Sequence, residues 1–206
     1  MTIGIACFGE DAVGAAMDAV LGAELMGRGA IGGFAVLAVL AGSGEFEHLS
    51  TQRGGVSALE VPQHWRNATA AAIISSGPDR PEPLVQFLPG RSGCGLVTGH
   101  RLPNTSGADG VPLNLAVLRL IETGMAPQAA VDQVVRAEPE IDAGLIALNI
   151  DGAIGFADTA RVQRRFDLGA AHRSDGRRSY ALLHNSIFAN ACDCSALAAI
   201  LGELAW

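Results

Sequence analysis

The stretch from Leu145 to Asp158, LIALNIDGAIGFAD, constrains the fold more than any other. Two short apolar segments flank Asp151-Gly152, a pair with type I′ turn chemistry, and this spacing predicts an antiparallel hairpin. Other elements are predicted to fall in similar groups. Thr2–Gly9 reads as a strand, and Glu10-Asp11 caps a helix over Ala12–Met26 whose apolar Val13, Met17, Val20 and Leu21 recur at helical spacing. Gly27, Arg28 and Gly29 mark its stop. Gly33–Leu40 reads as a buried strand with Glu47–Val56 as its partner, bent at Gly54-Gly55.

His64–Ile74 is Ala-rich and predicts a helix, SSGPDRPEP a surface loop, and Leu84–Leu88 and Gly95–His100 two more strands. Asp109 reads as the cap of a helix carrying Leu113, Val117, Leu120 and Ile121 on its inner stripe, with Pro112 in the first turn. Pro127 opens a second helix, with Ala130, Val131, Val134 and Val135 on one face, that must end before Pro139. After an Arg-rich segment come a strand at Tyr180–His184 and a last helix from about Ser195, with Leu197, Ile200, Leu201 and Leu204 on one side. Strands in adjacent pairs with helices grouped between them predict an α+β fold in one domain of 206 residues, not a doubly wound parallel sheet. Two stacked sheets with helices outside would satisfy both patterns.

Composition removes several functions. Hydrophobic residues make up 49% of the chain and there are 26 glycines, so tight packing is implied. The longest near-apolar run, Gly29–Gly42, falls short of the roughly 20 residues a membrane span needs. A net charge of −7 argues against general nucleic-acid affinity. All 14 basic residues are Arg, which excludes a Walker-type phosphate loop, a pyridoxal phosphate Schiff base and a kinase site, each of which needs Lys. No cofactor is expected, and the partners expected are a small molecule and further copies of the chain. With no basic start to the N-terminus and no disulfide-framework spacing of its four cysteines, a cytoplasmic protein with reduced thiols is expected.

Polar residues crowd between Gly93 and Asn114 in GCGLVTGHRLPNTSGADGVPLN, where a strand delivers a loop that ends on a helix. His100 can act as acid or base near neutral pH, and Arg101 can clamp a carboxylate. Thr98, Asn104, Asp109 and Asn114 are candidate substrate ligands, although Asn and Asp also serve turns and caps. Arg53, beside Gly54-Gly55, offers an anion contact or an ordinary strand-end turn. A metal reading can be assembled from His172, His184, Cys192 and Cys194, but the Cys-x-Cys spacing is tighter than usual for zinc.

The segment Gly93–Phe156 resembles an uncharacterised bacterial family related to the N-terminal-nucleophile (Ntn) hydrolase fold. The resemblance lies in the order of parts: Gly93, Gly95, Val97 and Thr98 in a strand, Asn104 and Gly107 in a polar loop, a turn at Gly124, a helix with Pro127, Ala130 and Val131, a stop at Pro139, and Asp151-Gly152 at a hairpin tip. It implies an αββα four-layer sandwich. It also implies a nucleophile at the mature N-terminus whose own α-amine is the base, a role Thr2 takes once Met1 is removed. An amidohydrolase acting on a small amide is therefore expected, with a non-catalytic binding protein on the same fold as the alternative and a metal-dependent hydrolase behind both.

Overall fold

Ten strands form two antiparallel sheets, seen in a computed structural model that describes residues 1–27, 31–77, 79–189 and 192–206. The larger sheet runs β3 (Phe46–Thr51), β2 (Ala35–Leu40), β4 (Ala70–Ser76), β1 (Thr2–Phe8), β10 (Ser179–Asn185) and β9 (Leu168–Ser174). The smaller runs β5 (Gly90–Arg91), β6 (Gly95–Arg101), β7 (Ala143–Asn149) and β8 (Ile154–Asp158). Five α-helices accompany them: α1 (Ala12–Met26), α2 (Leu113–Glu122), α3 (Pro127–Ala137), the single turn α4 (Ala160–Gln163) and α5 (Cys194–Leu204). The chain is thus α+β, as its strand pairing predicts.

Alternation along the central strands sorts side chains into separate cores. Ile3, Ile5, Ile73 and Leu182 pack on α1 and α5. Ala6, Ala72, Ile74 and Leu183 instead meet Leu96, Ile146 and Leu148 of the smaller sheet. The outer face of that sheet, through Val97, Leu145 and Ala147, covers α2 and α3. The central strands β2 and β4 are therefore buried on both faces, which explains why they read as continuous apolar runs.

Several elements form as their sequences predict. Helix α1 starts after Asp11, whose carboxylate accepts the Gly14 N–H at 3.3 Å, and Gly27 N–H closes the end on Ala23 O at 2.8 Å. Arg28 and Gly29, read as part of its stop, and Pro78 of the proline-rich loop lie outside the described residues. Helix α3 opens on Pro127 and ends ahead of Pro139.

Four readings need correction. His64–Ile74 is not a helix: a short 3₁₀ turn, Gln63–Asn67, leads into β4, every residue of which is buried in the middle of the larger sheet. Alanine's helix preference, a few tenths of a kcal/mol per residue, yields there to a slot buried on both faces. Leu84–Phe87 is likewise a 3₁₀ turn, following Pro83, and it presents Leu84 and Phe87 to the gap between the sheets, where the Phe34 and Phe87 rings sit 5.0 Å apart. The hairpin of β7 and β8 is present, but its turn has a positive φ only at Gly152, and Gly152 N–H meets Asn149 O at 3.1 Å. That is the three-residue loop with a glycine bulge rather than the two-residue I′ turn. In α5, Ile200 and Leu204 are about half exposed, so the buried stripe is Leu197, Ala198 and Leu201.

One core group ties fold stability to pH. His184 of β10 is fully buried on the α5 side, with Nε2 3.0 Å from Cys194 O, and its Nδ1 has no hydrogen-bond partner among the described residues. Burial pushes its pKa down from 6.5 to about 4. As pH falls from 6.5 towards 4 the unfolded chain takes up a proton that the folded chain refuses, so stability is lost across that window, by up to about 3 kcal/mol. Urea unfolding at pH 7 and at pH 4.5 should show this loss, and His184→Gln should flatten it; an equally steep pH dependence in the variant contradicts the assignment.

Candidate functional site

The start of β1 lies at one end of the space between the two sheets. Register pairs Thr2 with Ser76 of β4 on one side and with Asn185 of β10 on the other. Alternation turns all three toward the smaller sheet, since Ile3, Ser75 and His184 point to the helices. Thr2 Oγ1 is 3.2 Å from Ser76 Oγ, and Ser76 in turn donates to the Met1 carbonyl at 2.7 Å. All of Thr2, Ser76 and Asn185 are buried.

From the smaller sheet, His100 of β6 reaches up to this cluster. Its Nδ1 is 3.3 Å from Asn185 Oδ1 and its Nε2 is 2.7 Å from Asp158 Oδ1, so both ring nitrogens are engaged by oxygens. Two glycines make room for these contacts. A Cβ on Gly4 would lie 2.2 Å from Gly99 O, and one on Gly144 would lie 2.3 Å from His100 Cδ2 and 2.1 Å from the Asp158 carboxylate. The backbones of the two sheets can approach closely only because no side chain intervenes.

A ring of charge surrounds the cluster. Arg101 ends β6 with φ 65° and binds Asp142 in a two-pronged pair, with Nε 2.9 Å from Oδ1. Arg165 does the same with Asp167, at 2.8 and 2.6 Å, and Ser186, at φ 57°, donates to the same carboxylate at 2.5 Å. Burial pushes the Asp167 carboxyl up, but bonds from Arg165 and Ser186 outweigh it and hold its pKa below the usual value. The Arg101 guanidinium likewise holds Asp142 down. Arg80 donates to Ser76 Oγ at 2.6 Å. The amino group at the chain's start sits in this field: burial first, then Arg101 and Arg80, bring its pKa below the ordinary 8.0. Of the four non-glycine residues with positive φ among the described residues, Arg101 and Ser186 belong to this ring and Asp79 adjoins Arg80. Strained backbone collects where surrounding structure over-determines it, often at functional sites.

The predicted residues divide between this cluster and other duties. Thr2, His100 and Arg101 come together. Thr98 donates to Ile73 O at 3.1 Å and fastens one sheet to the other. Arg53 pairs with Asp79 at 2.6 Å on the surface. Asn104 and Asn114 both hold Gln86, by its side chain at 2.9 Å and its carbonyl at 2.8 Å. Asp109 does not cap α2, whose N-cap is Pro112; it accepts from Val111 N–H at 2.9 Å in an exposed turn. It also lines an open cavity of about 450 Å³ over α2 and α3 that none of Thr2, Ser76, His100 or Asn185 touches. Among the described residues no three His, Cys, Asp or Glu side chains are grouped to hold a metal; the His172 ring lies 5.0 Å from that of Phe156, tilted by 46°, while His184 faces α5.

Sequence reasoning missed Ser76, Arg80, Asp142, Asp158, Arg165, Asp167, Asn185 and Ser186. Two signals were available: polar Ser75-Ser76 and Asn185-Ser186 each end an apolar strand, which marks where a buried run meets solvent. Arg165 belonged to a run of charges that reads as a solvated face.

The chain belongs to the family described as "Domain of unknown function (DUF6963)", which matches residues 2–206. No curated protein matches it. Gly144→Ala should displace His100 from Asp158 and cost about 1–3 kcal/mol of stability, read by urea unfolding together with a shift of the His100 ring resonances. An unchanged His100 spectrum contradicts the role given to that glycine.

Proposed function

We propose that this member of the DUF6963 family is an amidohydrolase of N-terminal-nucleophile type, acting on a small amide with Thr2 as nucleophile after Met1 is removed. The three successive cores, helices on sheet, sheet on sheet and sheet on helices, support the finer reading of the fold as an αββα sandwich. The observation that carries the reading is the setting of the Thr2 hydroxyl: buried, 3.2 Å from Ser76 Oγ, and at the edge of a ring of arginines.

The chemistry follows from those parts. Loss of Met1 leaves an α-amine on Thr2, next to its own hydroxyl. At the Met1 amine, burial first and then Arg101 and Arg80 disfavour the ammonium form; the same surroundings at Thr2 favour the free amine that takes the hydroxyl proton. The Thr2 oxygen attacks the substrate's carbonyl carbon, and the carbonyl electrons move to its oxygen. Ser76, released from the Met1 carbonyl, has a hydroxyl hydrogen to offer that oxyanion. Collapse of the tetrahedral adduct expels the amine product, which takes its proton from the Thr2 ammonium. Water, deprotonated by the same amine, then cleaves the ester and restores Thr2. His100, held at both nitrogens, is a positioning residue that fixes Asn185 rather than a proton carrier.

Intact-mass analysis of natively produced protein should show Met1 absent. A β-lactone probe should add covalently to Thr2, Thr2→Ser should keep the adduct, and Thr2→Ala should lose it. Retention of Met1 with no adduct overturns the nucleophile and leaves a small-molecule-binding protein on this fold.

A further inference from the structure

The arginines around Thr2 are not equivalent. Arg101 is neutralised by Asp142 and Arg165 by Asp167. Arg80 has no carboxylate within 4.0 Å among the described residues, and its side chain makes one hydrogen bond there, from a terminal nitrogen to Ser76 Oγ. The acids near it in sequence are otherwise occupied: Asp79 pairs with Arg53, and Glu82 accepts from Leu84 N–H and from Gln52. Gln52 also grips the Arg80 backbone from both sides, accepting its N–H at 3.0 Å and donating to its carbonyl. The Arg80 main chain is therefore fixed, its guanidinium reaches within one hydroxyl of the nucleophile, and its remaining N–H groups have no hydrogen-bond partner among the described residues.

We infer that Arg80 is the specificity residue of this site, and that the substrate is an amide bearing a carboxylate, which the Arg80 guanidinium receives while the scissile carbonyl meets the Thr2 hydroxyl. One uncompensated guanidinium matches one carboxylate, and a planar fork can hold it with two N–H groups. A dianionic group would call for further free cations, and Arg101 and Arg165 are already committed. The inference rests on the proposed function for the identity of the bond broken, but not for the carboxylate being bound.

Calorimetric titration of the full chain with N-acetylglycine and with its neutral counterpart N-acetylglycinamide separates the two. Both are run on wild-type protein and on the Thr2→Ala chain after Met1 removal, where nothing can turn over. N-acetylglycine should bind about tenfold or more tightly than N-acetylglycinamide in both chains, and Arg80→Gln should erase that difference. Thermal unfolding of Arg80→Gln without ligand checks that it is folded, and the wild-type comparison of the two ligands stands independently of that variant. Carboxylate binding in wild-type protein that forms no adduct with the β-lactone probe keeps this inference and sinks the nucleophile. Equal affinity for the two ligands, unchanged N-acetylglycine binding in Arg80→Gln, or no N-acetylglycine binding at all overturns it.

Discussion

The two sheets meet backbone to backbone where Gly4 of β1 faces Gly99 of β6, and the rest of the molecule is arranged around that contact. A side chain at Gly4 would collide with Gly99 O at 2.2 Å, so the separation there is set by main-chain atoms. Such proximity lets Thr98 reach Ile73 O at 3.1 Å and His100 reach Asn185 at 3.3 Å, each a bond from one sheet to the other. Apolar side chains fill the space farther along the strands, from Ala6 to Leu148. At the other end the space closes on polar groups, and those groups surround Thr2.

Buried polarity of this kind is tolerable because it is satisfied. An unpaired buried charge costs several kcal/mol, whereas two-pronged arginine–carboxylate pairs return much of that cost. Asp167 is 5% exposed yet remains in its charged form through Arg165 and Ser186. The net effect is an enclosure with fixed dipoles beside the first residue of β1, in which Arg101 and Arg165 are neutralised by Asp142 and Asp167 and Arg80 has no carboxylate within 4.0 Å among the described residues. Under the proposed function, burial and then the nearby guanidinium groups lower the proton affinity of the Thr2 amine, and Arg80 receives the substrate's carboxylate.

Local order was largely legible in the sequence, and long-range assembly was not. Helix α1 could be read residue for residue because Asp11 and Gly27 punctuate a periodic segment. The hairpin around Asp151-Gly152 was visible too, though its turn type depends on a bond from Gly152 to Asn149 that no dipeptide rule contains. The Ala-rich strand β4 was misread as a helix, because its environment on both faces is supplied by segments far away in the chain. The same limit governs the site. His100 and Arg101 stood out as a dipeptide, but Ser76, Asp158 and Asn185 join them only through sheet register. Asn104 and Asn114 looked like substrate ligands from the loop's polarity, and their amides are spent on Gln86.

Under the proposed function, this enclosure lowers the proton affinity of the Thr2 α-amine below that of an ordinary chain terminus. The direct measurement is a ¹⁵N NMR titration of the Thr2 α-amine in protein lacking Met1. The account predicts a pKa clearly below the ordinary range of about 7.7 to 8.0, rising towards that range when Arg80 and Arg101 are both replaced by glutamine. A wild-type value at or above the ordinary range would contradict it.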